Sequence, residues 1–235
     1  GDTLRLLTRN PDSDSVYRIV QAYHTVRIYR EDVQAVCDSM EFNSLDSCMT
    51  MYYDPVVWNG PQQVLGEVIR VYMNDSTVDW AHVENQALIV ERVDTAHYNQ
   101  ISGREIKAYF VDGNIDKSDV IGNVMVVYYY REEGDSIAFG MNTTEASLLT
   151  AFMKDRQVDK LLVTEQSNGV FYPITQIPPG KDRLANFAWL HKLRPMSKYD
   201  IMVWRGKSEE EKLKVTTRRE VPLPSLKGLT TKDDK

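Results

Sequence analysis

The stretch from Val64 to Val127 contains the same unit twice, and this internal repeat constrains the fold more than any other feature. The first copy reads VLGEVIRVYMNDSTVDWAHVENQALIV and the second ISGREIKAYFVDGNIDKSDVIGNVMVV. Gly66 matches Gly103, Ile69 matches Ile106, Tyr72 matches Tyr109, Val83 matches Val120 and Ala87 matches Val124, all 37 positions apart without a gap. Val78-Asp79 likewise matches Ile115-Asp116. A fixed period of this size marks a supersecondary unit that buries its apolar face by stacking on its neighbours.

Each copy reads as a β-hairpin. Short runs at Val68 to Met73 and Ile106 to Val111 are rich in Val, Ile and Tyr, which suit a pleated surface. The polar clusters that follow, Asn74 to Thr77 and Asp112 to Asn114, carry residues that tolerate left-handed backbone angles. Asp112-Gly113 between apolar runs is a hairpin signal. Second arms begin at Val78 and Ile115. Looser copies flank the pair. Phe42, Cys48, Tyr53 and Val57 keep the spacing of Tyr72, Val78, Val83 and Ala87 shifted by 30. Phe152, Val158-Asp159 and Val163 keep that of Tyr109, Ile115-Asp116 and Val120 shifted by 43. Coincidence stays open as an account of these two outer copies.

The rest of the chain supports an all-β reading. A length of 235 residues suffices for one large β domain or two small ones. Residues 1–15 are polar and are expected to be a frayed, flexible start. Residues 16–177 form the repeat-built β domain, in which Val26 and Ile28 share one strand face and Arg27 and Tyr29 the other. Pro55 turns the run from Cys48 to Trp58 into an edge or a bulge. Glu91 to Asn99 reads as a connection, and Arg131 to Gly134 as a charged turn. Residues 178–205 form a capping segment over the end of the stack. It contains a short helix in which Asp182 is the N-cap and Leu184, Phe187, Ala188, Leu190 and His191 follow at helical spacing. Ile201 to Trp204 reads as a last strand. Residues 206–235 mix charges with Pro222 and Pro224 and are expected to be a flexible tail.

Several function classes are disfavoured. A net charge of −6 argues against a general nucleic-acid binder, which needs a basic stripe. No apolar run reaches the roughly 18 residues of a membrane-spanning helix. Phosphate loops, GxGxxG and HExxH are absent, and His24, His82, His97 and His191 are scattered. Asp79, Asp116 and Asp159 recur, but an Asp after a turn ordinarily satisfies local backbone donors. No metal site, cofactor or catalytic residue is expected, and an enzyme is a poor reading. Cys37 and Cys48 are expected to be buried thiols: in a plain hairpin Cys48 faces a residue near Phe42, too far from Cys37 to bridge. A bridge would require their strands to lie on opposing sheets. Gly1-Asp2-Thr3 reads as a truncated or mature start, so the lack of a visible leader does not decide localisation.

The repeating GxxIxxY, turn, [VI]D, x3, V pattern, with GNV at Gly122 to Val124, resembles the OstA-like family of periplasmic lipopolysaccharide-transport proteins. That family includes LptA, LptC and the N-terminal domain of LptD. The phrases VCDSMEF, DPVVWN, YMNDSTVD, IGNVMVVYY, GMNTTE and PITQIPPGK resemble the OstA-like proteins of Bacteroidetes in particular. The likeness spans Val16 to Arg205; the stretch after Pro178 departs from the short bridge proteins, as does the lack of a visible anchor.

The resemblance implies an antiparallel β-jellyroll, V-shaped and solenoid-like, in a periplasmic protein, with outer-membrane association left open. It implies a groove that shields the acyl chains of lipopolysaccharide, lined here by Ile69, Val71, Ile106, Ala108, Phe110 and Val126. Other OstA-like jellyrolls would be partners through edge-strand pairing. Two further readings stay open. One is a structural or partner-binding β domain with a filled core, the usual fate of such apolar positions. The other is a carbohydrate-binding or carbohydrate-active β-solenoid, which needs acids beside aromatics such as Tyr128, Tyr130 and Trp80 on one outer face.

Overall fold

A computed structural model describes residues 1–10, 16–74, 77–132, 137–154, 157–164 and 167–203. The turn expected at 131–134, the second half of the start expected over 1–15, Trp204 and the tail from 206 lie partly or wholly outside these residues.

The described residues form one antiparallel sheet folded back on itself. Its strands are β1 (Thr3–Arg9), β2 (Tyr17–Tyr23), β3 (Val26–Tyr29), β4 (Val33–Cys37), β5 (Ser39–Asn43), β6 (Cys48–Tyr52), β7 (Val56–Asn59) and β8 (Gln62–Leu65). They continue as β9 (Val68–Asn74), β10 (Thr77–Arg92), β11 (Tyr98–Val111), β12 (Asn114–Arg131), β13 (Ala138–Lys154), β14 (Gln157–Val163) and β15 (Asn168–Pro173). One layer runs β1-β2-β5-β6-β9-β10-β11-β12-β13-β14. The second runs β3-β4-β7-β8 and continues through the other halves of β10 to β13, ending on β15. The long strands β10 to β13 therefore belong to both layers.

The fold line is written in the backbone. Each outgoing strand crosses between layers at two consecutive left-handed residues: His24-Thr25, Tyr53-Asp54, Asn85-Gln86 and Gly122-Asn123. Seven of these eight carry a side chain, and each such residue costs of order 1–2 kcal/mol relative to a right-handed conformation. The pairing register slips at the same places, between Glu84 and Ala87 and between Ile121 and Val124. These are β-bulges, which bend a strand and increase its twist. On return strands the corner needs a small residue. A Cβ on Gly66 would stand 2.5 Å from Val83 Cγ1, and one on Gly103 would stand 2.7 Å from Val120 Cγ1. The repeat thus pairs each glycine with its own valine on the next strand.

Two apolar cores result, one on each side of the second layer. The inner core lies between the layers and contains Met51, Ile69, Val83, Ala87, Ile106, Val120 and Val124. The outer core lies on the far face of the second layer and contains Trp58, Leu88, Val90, Val127 and Met141. Residues 174–203 cover that face as a strap, contributing Leu184, Ala188, Leu190 and Leu193.

The strap corrects two expectations. It lies along a sheet face, not over the end of the stack, and it contains no α-helix. Leu184, Asn186, Ala188 and Leu190 alternate as buried residues with more exposed neighbours, a period of two. Only single 3-10 turns occur, at Ile174–Gln176, His191–Leu193 and Asp200–Met202; the last replaces the start of the expected final strand.

What holds the strap extended is a row of side-chain amides. Gln34, Trp58, Gln63, Val90, Gln100 and Val127 are successive cross-strand partners on the outer face. Gln100 Nε2 donates to Asp182 O (2.8 Å) and its Oε1 accepts from Leu184 N (2.8 Å). Gln63 does the same six residues on, donating to Ala188 O (2.8 Å) and accepting from Leu190 N (2.7 Å). Gln34 Oε1 then accepts from Arg194 Nε at 2.6 Å. Each of the first two amides satisfies a carbonyl and an N–H two residues apart, as a neighbouring strand would. Their bonds use backbone groups that a helix would have needed for itself.

Other details also differ from expectation. Residues 3–9 pair in full register with β2 and are not frayed. The connection expected over Glu91 to Asn99 shrinks to 93–97 because the strands extend past the repeat. Asp112 and Gly113 both have positive φ and close a two-residue hairpin, as their composition predicts. Pro55 falls in the corner between β6 and β7. The copy placed at a shift of 30 is out of phase: Phe42 pairs with Met49 and thus stands in line with inner-facing Val71, whereas Tyr72 faces outward. Cys37 and Cys48 are buried outside any disulfide. Cys37 belongs to the inner core, whereas Cys48 pairs with Tyr72 on the opposite face.

The inner apolar face as candidate lipid-binding site

The six residues expected to line a groove all point to the inner side. In β9 and β11 the pleat sends Ile69 with Val71, and Ile106 with Ala108, to one face. Cross-strand pairing aligns them: Ile69, Val83 and Ile106 form one row, and Val71, Ala81 and Ala108 the next. Phe110 lies one step further towards the hairpin tip, and Val126 stands on the second layer. Their depths differ. Ile69, Ile106 and Val126 are 2%, 1% and 8% exposed, and they belong to the packed floor beside the fold line. Val71, Ala108 and Phe110 are half-buried and farther out.

The apolar rows run the whole length of the first layer. From Leu4 through Met40, Ile69, Val83 and Val120 to Val163, every one of the ten cross-strand partners is apolar. The next row runs from Leu6 to Leu161, interrupted only by Ser118. On the second layer Ile28, Ala35, Val57, Val64, Ile89, Ile101 and Val126 make a matching row. The rows end exposed: Leu4 and Leu6 are 74% and 63% accessible on β1, and Leu161 is 52% accessible on β14. Among the described residues β1, β3, β14 and β15 each pair on one side only, so both ends of both layers present free strand edges.

The outer face of the first layer has a different character. Tyr72 stacks on Trp80 at 4.1 Å, and Lys117 Nζ lies 5.3 Å from the Tyr109 ring. Arg70 pairs with Glu84, and His82 bridges Glu84 (3.2 Å) and Glu105 (3.1 Å). Burial pushes the Glu105 carboxyl up, but the His82 hydrogen bond and the Arg104 charge outweigh it and hold it below the usual range. These contacts form a cross-strand charge ladder. Trp80 stands on this outer face, whereas Tyr128 and Tyr130 share the inner face of the second layer with Val126. The single outer face of aromatics that a carbohydrate-processing solenoid needs is therefore not assembled. Asp79, Asp116 and Asp159 are exposed, and no cluster of three or more metal-ligating residues occurs among the described residues.

A cleft of about 810 Å³ opens on the outer side of the corner, between the bulges and the strap, where Asn85, Gln86, Asn123, Lys181 and Asn186 line it. The amide row and this cleft were not foreseen. The one trace of the row in the sequence is glutamine at strand positions two residues from buried aliphatics, as in Gln34 with Val36 and Gln63 with Leu65.

The fold and this face define an open, two-layer antiparallel β-jellyroll with an apolar interior. No protein-family model matches the chain, and no curated protein sequence does. A similar solved structure is LptH, the LptA homologous periplasmic component of the lipopolysaccharide transport device from Pseudomonas aeruginosa. It is 18% identical, the match covers 55% of this chain and 85% of that chain, and the TM-score is 0.41.

Proposed function

We propose that the chain is a non-catalytic periplasmic carrier or bridge that shields the acyl chains of lipopolysaccharide on its way to the outer membrane. The observation that carries this reading is the inner face with an apolar floor that runs the length of the first layer, solid at the fold line, half-exposed towards its rim and open at both ends. Each methylene moved from water onto such a surface gains about 0.8 kcal/mol, so several chains of a dozen carbons gain enough to bind without any bond chemistry. The likeness of the repeat phrases to the OstA-like family supports the same reading. The edges of β1, β3, β14 and β15, unpaired among the described residues, suit strand addition, which would join this inner face to that of a neighbouring jellyroll as one continuous slide.

The test is photocrosslinking from the rim. A benzophenone amino acid at Val71 or Ala108 should trap lipopolysaccharide in folded protein, and one at outward-facing Tyr72 should not. No adduct at either rim position would refute the reading and favour a β domain that merely fills its core.

A further inference from the structure

The two walls of the inner face are not alike. On the first layer the apolar character continues outward past Val71 and Ala108 to Met73 and Phe110 near the hairpin tips. On the second layer it stops. One step beyond the Ile28-to-Val126 row, Val33 on β4 is followed by the inner-facing partners Asn59, Gln62, Glu91 and Asn99. Gln100 faces Val127, which places Asn99 beside Tyr128; Tyr128 then pairs with Asn142, and Asn142 with Phe171. From Asn59 to Phe171 this row crosses seven strands, β7, β8, β10, β11, β12, β13 and β15, beside the Ile28-to-Val126 row.

Its accessible end is aromatic. Tyr128 and Tyr130 contact edge to face at 5.1 Å, and Tyr130 lies 6.0 Å from Phe171. The Phe171 ring lies over Gly140, where a Cβ would come within 2.2 Å of it. Tyr128, Tyr130 and Phe171 are 41%, 39% and 51% exposed, too open for core residues of this size. Burial pushes the Glu91 carboxyl up, against an Asn99 hydrogen bond and the Arg131 charge that lower it. It adds a further hydrogen-bonding side chain to the row.

Amides beside exposed aromatic faces match a ligand group rich in hydroxyls and C–H faces, as a sugar ring is. We infer, resting on the carrier reading above, that the groove binds its amphiphile in one orientation: acyl chains against the first layer, and the sugar head against the Gln62, Asn99, Tyr128 and Phe171 wall of the second. A symmetric apolar trough would leave the head in solvent. This one holds the sugar and fixes the lipid's rotation about the groove axis.

Two alkyl maltoside probes test it on the intact chain, one carrying a diazirine at the end of the alkyl chain and the other on the outer glucose. Peptide mapping should place the chain label on segments containing Val71 and Ala108, and the sugar label on segments containing Gln62, Asn99 and Tyr128. Replacing Tyr128 and Tyr130 together by Ala should weaken alkyl maltoside binding roughly three- to tenfold and leave a fatty acid of equal chain length unaffected. Labels shared equally between walls, or reversed, overturn the inference while leaving the carrier reading intact. No label from either probe removes both.

Discussion

Replacing Gln63 by Met would keep the side chain's length and apolar stem while deleting the amide, its donor and its acceptor together. Gln63 is fully buried, and its amide is the partner of Ala188 O and Leu190 N under the strap. The variant leaves a carbonyl and an N–H buried without those partners. Each such group costs about 1–3 kcal/mol, so the expected destabilisation is roughly 2–6 kcal/mol. For a chain of this size 1 kcal/mol moves the melting temperature by about 2–4 °C, which predicts a fall of roughly 4–24 °C. The more specific readout is amide hydrogen exchange. Leu190 N–H should lose protection, whereas Leu184 N–H, held by Gln100, should keep most of its own. Unchanged protection at Leu190, or equal loss at both amides, would refute the view that each glutamine clamps its own stretch of strap.

Other expectations follow from the corner, the rim and a loop. Gly103→Ala forces a Cβ against Val120 Cγ1 and should cost about 1–3 kcal/mol by overpacking. Combining it with Val120→Ala should cost less than the two single effects added, measured by denaturant unfolding. Ala108→Asp should abolish lipopolysaccharide capture while leaving the melting temperature within a few degrees, because Ala108 stands at the half-buried rim; retained capture would count against the groove. Asp94 accepts from the backbone N–H groups of Ala96 and His97 and from His97 Nδ1 at 2.7 Å. Burial raises its carboxyl pKa, but these bonds overcome that and lower it from 3.8 to about 2. A depressed carboxylate adds stability that is complete above its unfolded value and lost as pH falls through the folded one. The 93–97 loop should therefore loosen between about pH 4 and 2, followed by NMR, and His97→Ala should bring that transition to higher pH.

The repeat made the hairpin ladder legible. The match of Gly66 and Val83 with Gly103 and Val120 is a steric pairing that recurs once per unit, so it survives as a 37-residue period. The inner face was legible for the same reason: with a period of two, one strand's apolar residues share a side, and Ile69, Val71, Ile106 and Ala108 report it directly. The depth of each residue was not legible. Ile69 and Val71 are alike in type, and only distance from the fold line makes one floor and the other rim. The strap misled because Leu184, Ala188 and Leu190 satisfy a helical spacing and an alternating one together. The decision between them lay in glutamines more than eighty residues away.

Local information alone therefore settled the strands of the repeat, the hairpin turn at Asp112-Gly113 and which side of those strands is apolar, since these depend on near neighbours and the pleat. Tertiary structure decided where the sheet folds, because no one residue type is common to the left-handed pairs at His24-Thr25, Tyr53-Asp54, Asn85-Gln86 and Gly122-Asn123, which are held by packing across the bend. It also decided which apolar face is sealed and which stays open. Both faces of the second layer carry aliphatic side chains, and only the docking of the strap through Gln63 and Gln100 removes one of them from water.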